Sequence, residues 1–127
     1  MADPYRSQSR GPRLAGTLLG SVLALAWAVV PAHADTLRVI NLSIKQGHFH
    51  PQTVQVPAGE KFKLRVTNHG PAVEEFESTD LNREQIVTPG HSIEVYLGPL
   101  KPGRYKFFGD FHPDTAKGEI VAEQEKP

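Results

Sequence analysis

Apolar and polar residues alternate with a period of two over several short stretches, and after residue 34 no segment sustains a helical period. Phe62, Leu64 and Val66 are interleaved with Lys61, Lys63, Arg65 and Thr67, the pattern of a half-buried strand. Ile93, Val95 and Leu97 repeat it, with Ser92, Glu94 and Tyr96 on the other face. Val54 and Val56 predict a short strand that ends at Pro57-Ala58-Gly59. The run 37–44 is strand-like, but its apolar phase changes midway, which predicts a bulge. Tyr105 and Phe107 share a face, with Phe108 on the other, and Ile120 and Val121 close the pattern. Turn residues separate these runs at Asn68-His69-Gly70-Pro71, Thr88-Pro89-Gly90 and Lys101-Pro102-Gly103. Short strands at this spacing predict an all-β Greek-key β-sandwich and argue against βαβ units. Residues 123–127 read as a frayed tail.

The first 34 residues follow a different pattern. Arg6, Arg10 and Arg13 precede an uncharged stretch from Leu14 to Val30, rich in Leu, Ala and Val. Pro31 interrupts it, and Ala32-His33-Ala34 supplies the small-x-small signal that a signal peptidase reads. The expectation is a secretory signal peptide over 1–34, cleavage before Asp35, a single domain over 35–127 and a periplasmic location. The apolar run is short for a membrane span of about 20 residues.

Composition narrows the function classes. Removing residues 1–34 takes three of the 14 Lys+Arg and one of the 14 Asp+Glu, leaving 11 against 13 and a net charge of −2. That balance argues against a nucleic-acid partner. The only Met and the only Trp, Met1 and Trp27, leave with the signal, and the chain has no Cys. Disulfides are therefore excluded, and packing alone holds a small domain together. No nucleophile–base pair, phosphate-binding loop or HExxH motif is present, so the sequence offers no hydrolase or transferase machinery.

Two regions carry candidate chemistry. Glu74, Glu75 and Glu77 lie in the acidic run Glu74-Glu75-Phe76-Glu77-Ser78. On a strand, Glu75 and Glu77 share one face, and Glu74 lies on the other with Phe76. Asp110 stands two residues before His112 and can share a side of an extended loop with it. Carboxylates with one imidazole suit harder cations than a thiolate site would, iron among them, although His also takes copper. His48 and His50 flank Phe49 at a spacing that can chelate a metal from one strand face, a weaker candidate. His69 and His91 lie in turns, and Tyr105 after Pro102-Gly103 is placed to form a tyrosine corner.

The run Pro102-Gly103-Arg104-Tyr105-Lys106-Phe107-Phe108-Gly109-Asp110-Phe111-His112, followed by Lys117-Gly118-Glu119-Ile120-Val121, resembles the copper-site end of a cupredoxin. Phe49-x-Pro51 and Val56-Pro57-Ala58-Gly59 resemble the early strand pair of that fold. The resemblance implies a cupredoxin-like Greek-key sandwich over nearly all of 35–127. It also exposes departures. Gly109 stands where that family places a Cys ligand, Ala116 where it places an axial Met, and Glu74 or Glu75 where it places the first His. Only His112 is retained, so a type 1 blue-copper centre, which needs a thiolate, has no sulfur ligand here.

Glu74-Glu75-Phe76-Glu77-Ser78, Leu81-x-Arg83-Glu84, Gly98-Pro99-Leu100-x-Pro102-Gly103 and Phe107-Phe108-Gly109-Asp110-Phe111-His112 are similar, more particularly, to cupredoxin-like periplasmic proteins of bacterial ferrous-iron uptake operons. A related domain is fused to EfeO-type iron-uptake lipoproteins. That resemblance implies an accessory assisting ferrous-iron capture or oxidation, in a ferroxidase-like role, beside a periplasmic iron-binding protein and an inner-membrane iron permease. It also implies a weak, partly open site at one end of the sandwich, with His112 and Glu75 together and Asp110, Glu74 or Glu77 completing it around iron or copper. Two other classes stay open: a periplasmic copper-binding or delivery protein using His48, His50 and His112, and a metal-free β-sandwich adaptor.

Overall fold

The computed structural model describes residues 36–127, together with 11–12 and 14–16; the signal peptide and its cleavage site lie outside the described residues. Between residues 36 and 127 the regular elements are strands: β1 (Arg38–Lys45), β2 (His48–His50), β3 (Thr53–Pro57), β4 (Phe62–Asn68), β5 (Glu74–Ser78), β6 (Arg83–Val87), β7 (Ser92–Leu97), β8 (Gly103–Gly109) and β9 (Lys117–Glu123). They form two sheets, of order β2-β1-β4-β7 and β3-β9-β8-β5-β6. The all-β Greek-key sandwich expected from the alternation is the fold.

The predicted inner faces are inside. Phe62, Leu64, Val66, Val95 and Leu97 are buried, while Ile93 is only half-buried. Between the sheets, Phe49 from β2 meets Phe107 from β8 edge-on, with ring centroids 5.0 Å apart, and Phe76 from β5 at 6.2 Å. These edge-to-face contacts join one sheet to the other and each adds about 1 kcal/mol to the area term. At the start of β8, the Tyr105 hydroxyl donates to the Lys101 carbonyl at 2.8 Å, the tyrosine-corner contact.

Two local expectations change. β1 carries no bulge: it runs parallel to β4 in unbroken register from Arg38 opposite Phe62 to Ile44 opposite Asn68. The apparent change of phase arises because Val39 faces outward, while Leu42 and Ile44 point in and Ile40 packs against the core. β6 went unpredicted because four of its five residues are exposed and only Val87 is buried.

Two turns shape the end of the sandwich that matters below. β1 and β2 are joined by Gln46 and Gly47, both at positive φ (51° and 69°), as a two-residue hairpin with primed twist requires. Asn68, buried at the end of β4, donates to the carbonyls of Ala72 and Val87 at 2.8 Å each and accepts from the Gly70 amide at 2.7 Å. Its side chain thereby braces the turn that delivers the chain to Glu74.

Candidate functional site

Alternation along β5 separates its three acids. Glu74, Phe76 and Ser78 point inward and are buried; Glu75 and Glu77 point outward and are half-exposed. Glu74 is 1% exposed. A carboxylate at such a site is tolerated only if donors replace the lost water. Three do so. Oε1 accepts from the backbone amides of Glu75 at 3.0 Å and Phe111 at 2.9 Å, and Oε2 accepts from Nδ1 of His112 at 2.5 Å.

His112 lies in the loop between β8 and β9, which is wound tightly enough to hold the ring in place. The His112 amide donates to the Gly109 carbonyl, the Ala116 amide to the His112 carbonyl, and the Gly109 amide to the Ala116 carbonyl. The ring side chain is 40% exposed. With Nδ1 paired to the buried carboxylate, Nε2 is the ring nitrogen left for a ligand.

Small residues make room for this pair. A Cβ added at Gly109 would stand 2.6 Å from Cδ of Glu74 and 2.7 Å from Cβ of Ala116, so the carboxyl group fills space that any side chain at position 109 would need. Ala116 is fully buried beside it. On the other side of the pair, a cavity of about 240 Å³ opens between the β1–β2 hairpin and the turn after Asn68, with Glu74, His112 and Thr115 in its wall. The Thr115 hydroxyl donates to the Gly47 carbonyl at 2.7 Å, tying the hairpin to the loop.

The expected grouping of His112 with Glu75 gives way to His112 with Glu74. The reason is the strand period: adjacent residues face opposite sides, and only Glu74 shares the inner side with the ring. Glu75 instead stands opposite Ile86 in β6, and Glu77 stands opposite Glu84. A side-chain hydrogen bond with Glu84 is the main cause that raises the Glu75 carboxyl above its usual range; partial burial and repulsion from Glu84, Asp110 and Glu77 add to it. Asp110 belongs to this outer group, its amide donating to the Glu75 carbonyl at 3.0 Å. His48 and His50 lie on the outer side of β2, on either side of buried Phe49. Among the described residues, no three His, Cys, Asp or Glu side chains are grouped so as to hold a metal ion, whether drawn from the acidic run with His112 or from His48, His50 and His112.

The site's donor set does not fit a blue-copper ion. The chain has no thiolate, glycine and alanine stand where sulfur ligands would, and both oxygens of Glu74 are already hydrogen-bonded. What it fits is one ligand, Nε2 of His112, backed by a buried carboxylate that fixes its tautomer, with the remaining positions open to water or to donors from elsewhere.

Comparison with known proteins bears on this arrangement. Residues 18–122 match the model of the family described as the cupredoxin-like domain. An uncharacterised protein of Rickettsia prowazekii (strain Madrid E), RP394, is 48% identical over 87 residues, covering 68% of this chain and 70% of its own. Among solved structures, auracyanin A, a "blue" copper protein from Chloroflexus aurantiacus, superposes with a TM-score of 0.60 at 12% identity, over 69% of this chain and all of that one. A chain of a heme-copper terminal oxidase dimer gives 0.58 at 17% identity over 68% of this chain, which spans 65% of the oxidase chain. At such identities the likeness is one of fold.

Proposed function

The chain belongs to the cupredoxin-like domain family, and from that premise we propose that it is an exported, periplasmic metal-handling accessory whose working group is the imidazole of His112, held by Glu74. The observation that carries the reading is the bond from His112 Nδ1 to a carboxylate that is 1% exposed. A buried charge kept behind a half-exposed ring is the arrangement that orients a metal-binding histidine. It supplies one protein ligand where a stand-alone carrier needs three or four, so the other donors come from water or a partner. Exposed Val73 and Phe111, next in sequence to Glu74 and His112, give such a partner an apolar surface to cover.

Ferrous iron is the first candidate cargo. Its support is the resemblance of the acidic run and the His112 loop to periplasmic proteins of iron-uptake operons, with a periplasmic iron-binding protein and an inner-membrane permease as the implied partners. Copper is the second, favoured by the imidazole as sole free donor and by the fold shared with auracyanin A, a copper protein. Either ion would bring one-electron chemistry to the site, the basis of a ferroxidase-like role. Calorimetric titration of the protein with Fe(II), Mn(II) and Cu(II) tests the reading. His112→Ala should abolish binding at this end, and Glu74→Gln should weaken it about 10-fold or more, as loss of an orienting carboxylate does. Variants that bind every ion as the parent does would show that no metal is held at this end, and leave an adaptor role for it as the better account.

A further inference from the structure

We propose a second metal site, separate from the Glu74–His112 pair: a two-imidazole clamp formed by His48 and His50 on edge strand β2, taking a single Cu(II) ion. Both side chains are exposed and lie on one side of the strand, because buried Phe49 between them fixes which way β2 faces. Their ring centroids are 6.5 Å apart and the rings are inclined by 37°. With metal–nitrogen bonds of about 2 Å, two imidazoles on one ion have centroids roughly 4–6 Å apart according to the angle at the ion, so a small rotation of the two exposed rings closes the pair on one ion.

The donor atoms are prepared as well. Nδ1 of His48 lies 2.8 Å from the carbonyl of Gln46. A carbonyl can only accept, so Nδ1 carries the proton and Nε2 is left with the free lone pair, the usual support of a ligating histidine. Gln46 is held by the same positive-φ hairpin turn that begins β2, so the anchor and the ligand belong to one rigid unit. The cross-strand neighbours are Lys45 opposite His48 and Ser43 opposite His50. Neither neighbour supplies a carboxylate, so the donors are nitrogen. Imidazole suits Cu, Zn and Ni over Ca and Mg, and among divalent first-row ions Cu(II) binds most tightly.

The site adjoins the first without sharing ligands. Gly47, between Gln46 and His48, packs against the His112 ring: a Cβ there would stand 3.6 Å from its Cδ2. The inference does not depend on the proposed function of the Glu74–His112 pair.

Tag-free protein titrated with Cu(II) and Zn(II), followed by calorimetry and by amide-resolved nuclear magnetic resonance, tests the proposal. One Cu(II) should erase the signals of His48, Phe49 and His50 first, and electron paramagnetic resonance should show coupling to two imidazole nitrogens. His48→Asn and His50→Asn should each weaken that event at least 10-fold, with amide spectra otherwise unchanged, and Zn(II) should bind at least 10-fold more weakly than Cu(II). His112→Ala and Glu74→Gln should leave it intact even where they abolish binding at their own end. Loss of the signals of residues 48–50 to Cu(II) that survives both asparagine variants, or that disappears in His112→Ala alone, overturns the clamp.

Discussion

Glu74 and Glu75 are the same residue type, adjacent in one strand, and their surroundings are opposite. Glu74 is buried and receives three hydrogen-bond donors, a ring and two backbone amides. Glu75 is half-exposed and faces other acids, with Glu84, Asp110 and Glu77 all raising its pKa. A carboxylate inside is stabilised by fixed donors aimed at it; a carboxylate outside relies on water and is penalised by its neighbours. In this molecule the acidic appearance of the sequence therefore belongs to one face of β5 and the candidate chemistry to the other.

The contrast can be broken at graded cost. Glu74→Ala should be the most damaging, losing about 3–5 kcal/mol in urea denaturation, because it strands the Phe111 and Glu75 amides and the imidazole together. Gly109→Ala should cost about 1–3 kcal/mol, since the new methyl meets the Glu74 carboxyl and Ala116 in a space with no slack. His112→Ala should cost about 1 kcal/mol: the ring is part-exposed, and water can replace Nδ1 at Oε2.

Glu75→Gln should act in the opposite direction and slightly raise the thermal midpoint at pH 7 by removing repulsion. The sign follows from a folded pKa lying above the unfolded one. The penalty is full above the raised value and gone below the ordinary carboxylate value, so parent and variant should converge as pH falls through that window. Glu94 offers the reverse control. Hydrogen bonds from Arg65 and then Lys63 lower its pKa from 4.5 to about 2. Its contribution should be present above pH 4.5 and lost progressively as pH falls towards 2, so Glu94→Gln should converge with the parent in strong acid. Melting curves from pH 2 to 8 read both effects, and like slopes for the two variants would refute the assignment.

How much of this was legible in the sequence depended on periodicity. Phe62/Leu64/Val66 and Val95/Leu97 reported their faces because a half-buried strand prints its burial at period two. The same rule separated Glu74 from Glu75 and Glu77. It could not say which side His112 would approach, because that is settled by the winding of the loop from Gly109 to Ala116, where hydrogen bonds and not hydrophobicity fix the path. Glycine at position 109 was the usable signal. Its lack of a side chain marks a missing ligand and equally the space into which the Glu74 carboxyl fits. β6 left no signal because its outward residues, including Ile86, do not alternate with buried ones. At β1, outward-facing Val39 imitated the sequence signature of a bulge.

The position of β9 has a consequence for how the chain acquires its shape. The last strand lies inside the five-stranded sheet, parallel to β3 and antiparallel to β8, so that residues 53–57 meet residues 119–123. β3 has no partner in its sheet, and β8 only β5, until β9 is available, and much of the contact is between residues distant in sequence. Folding should therefore be slow for so small a protein. A chain stopped before Lys117 should expose two unpaired strand edges and associate with other chains through them.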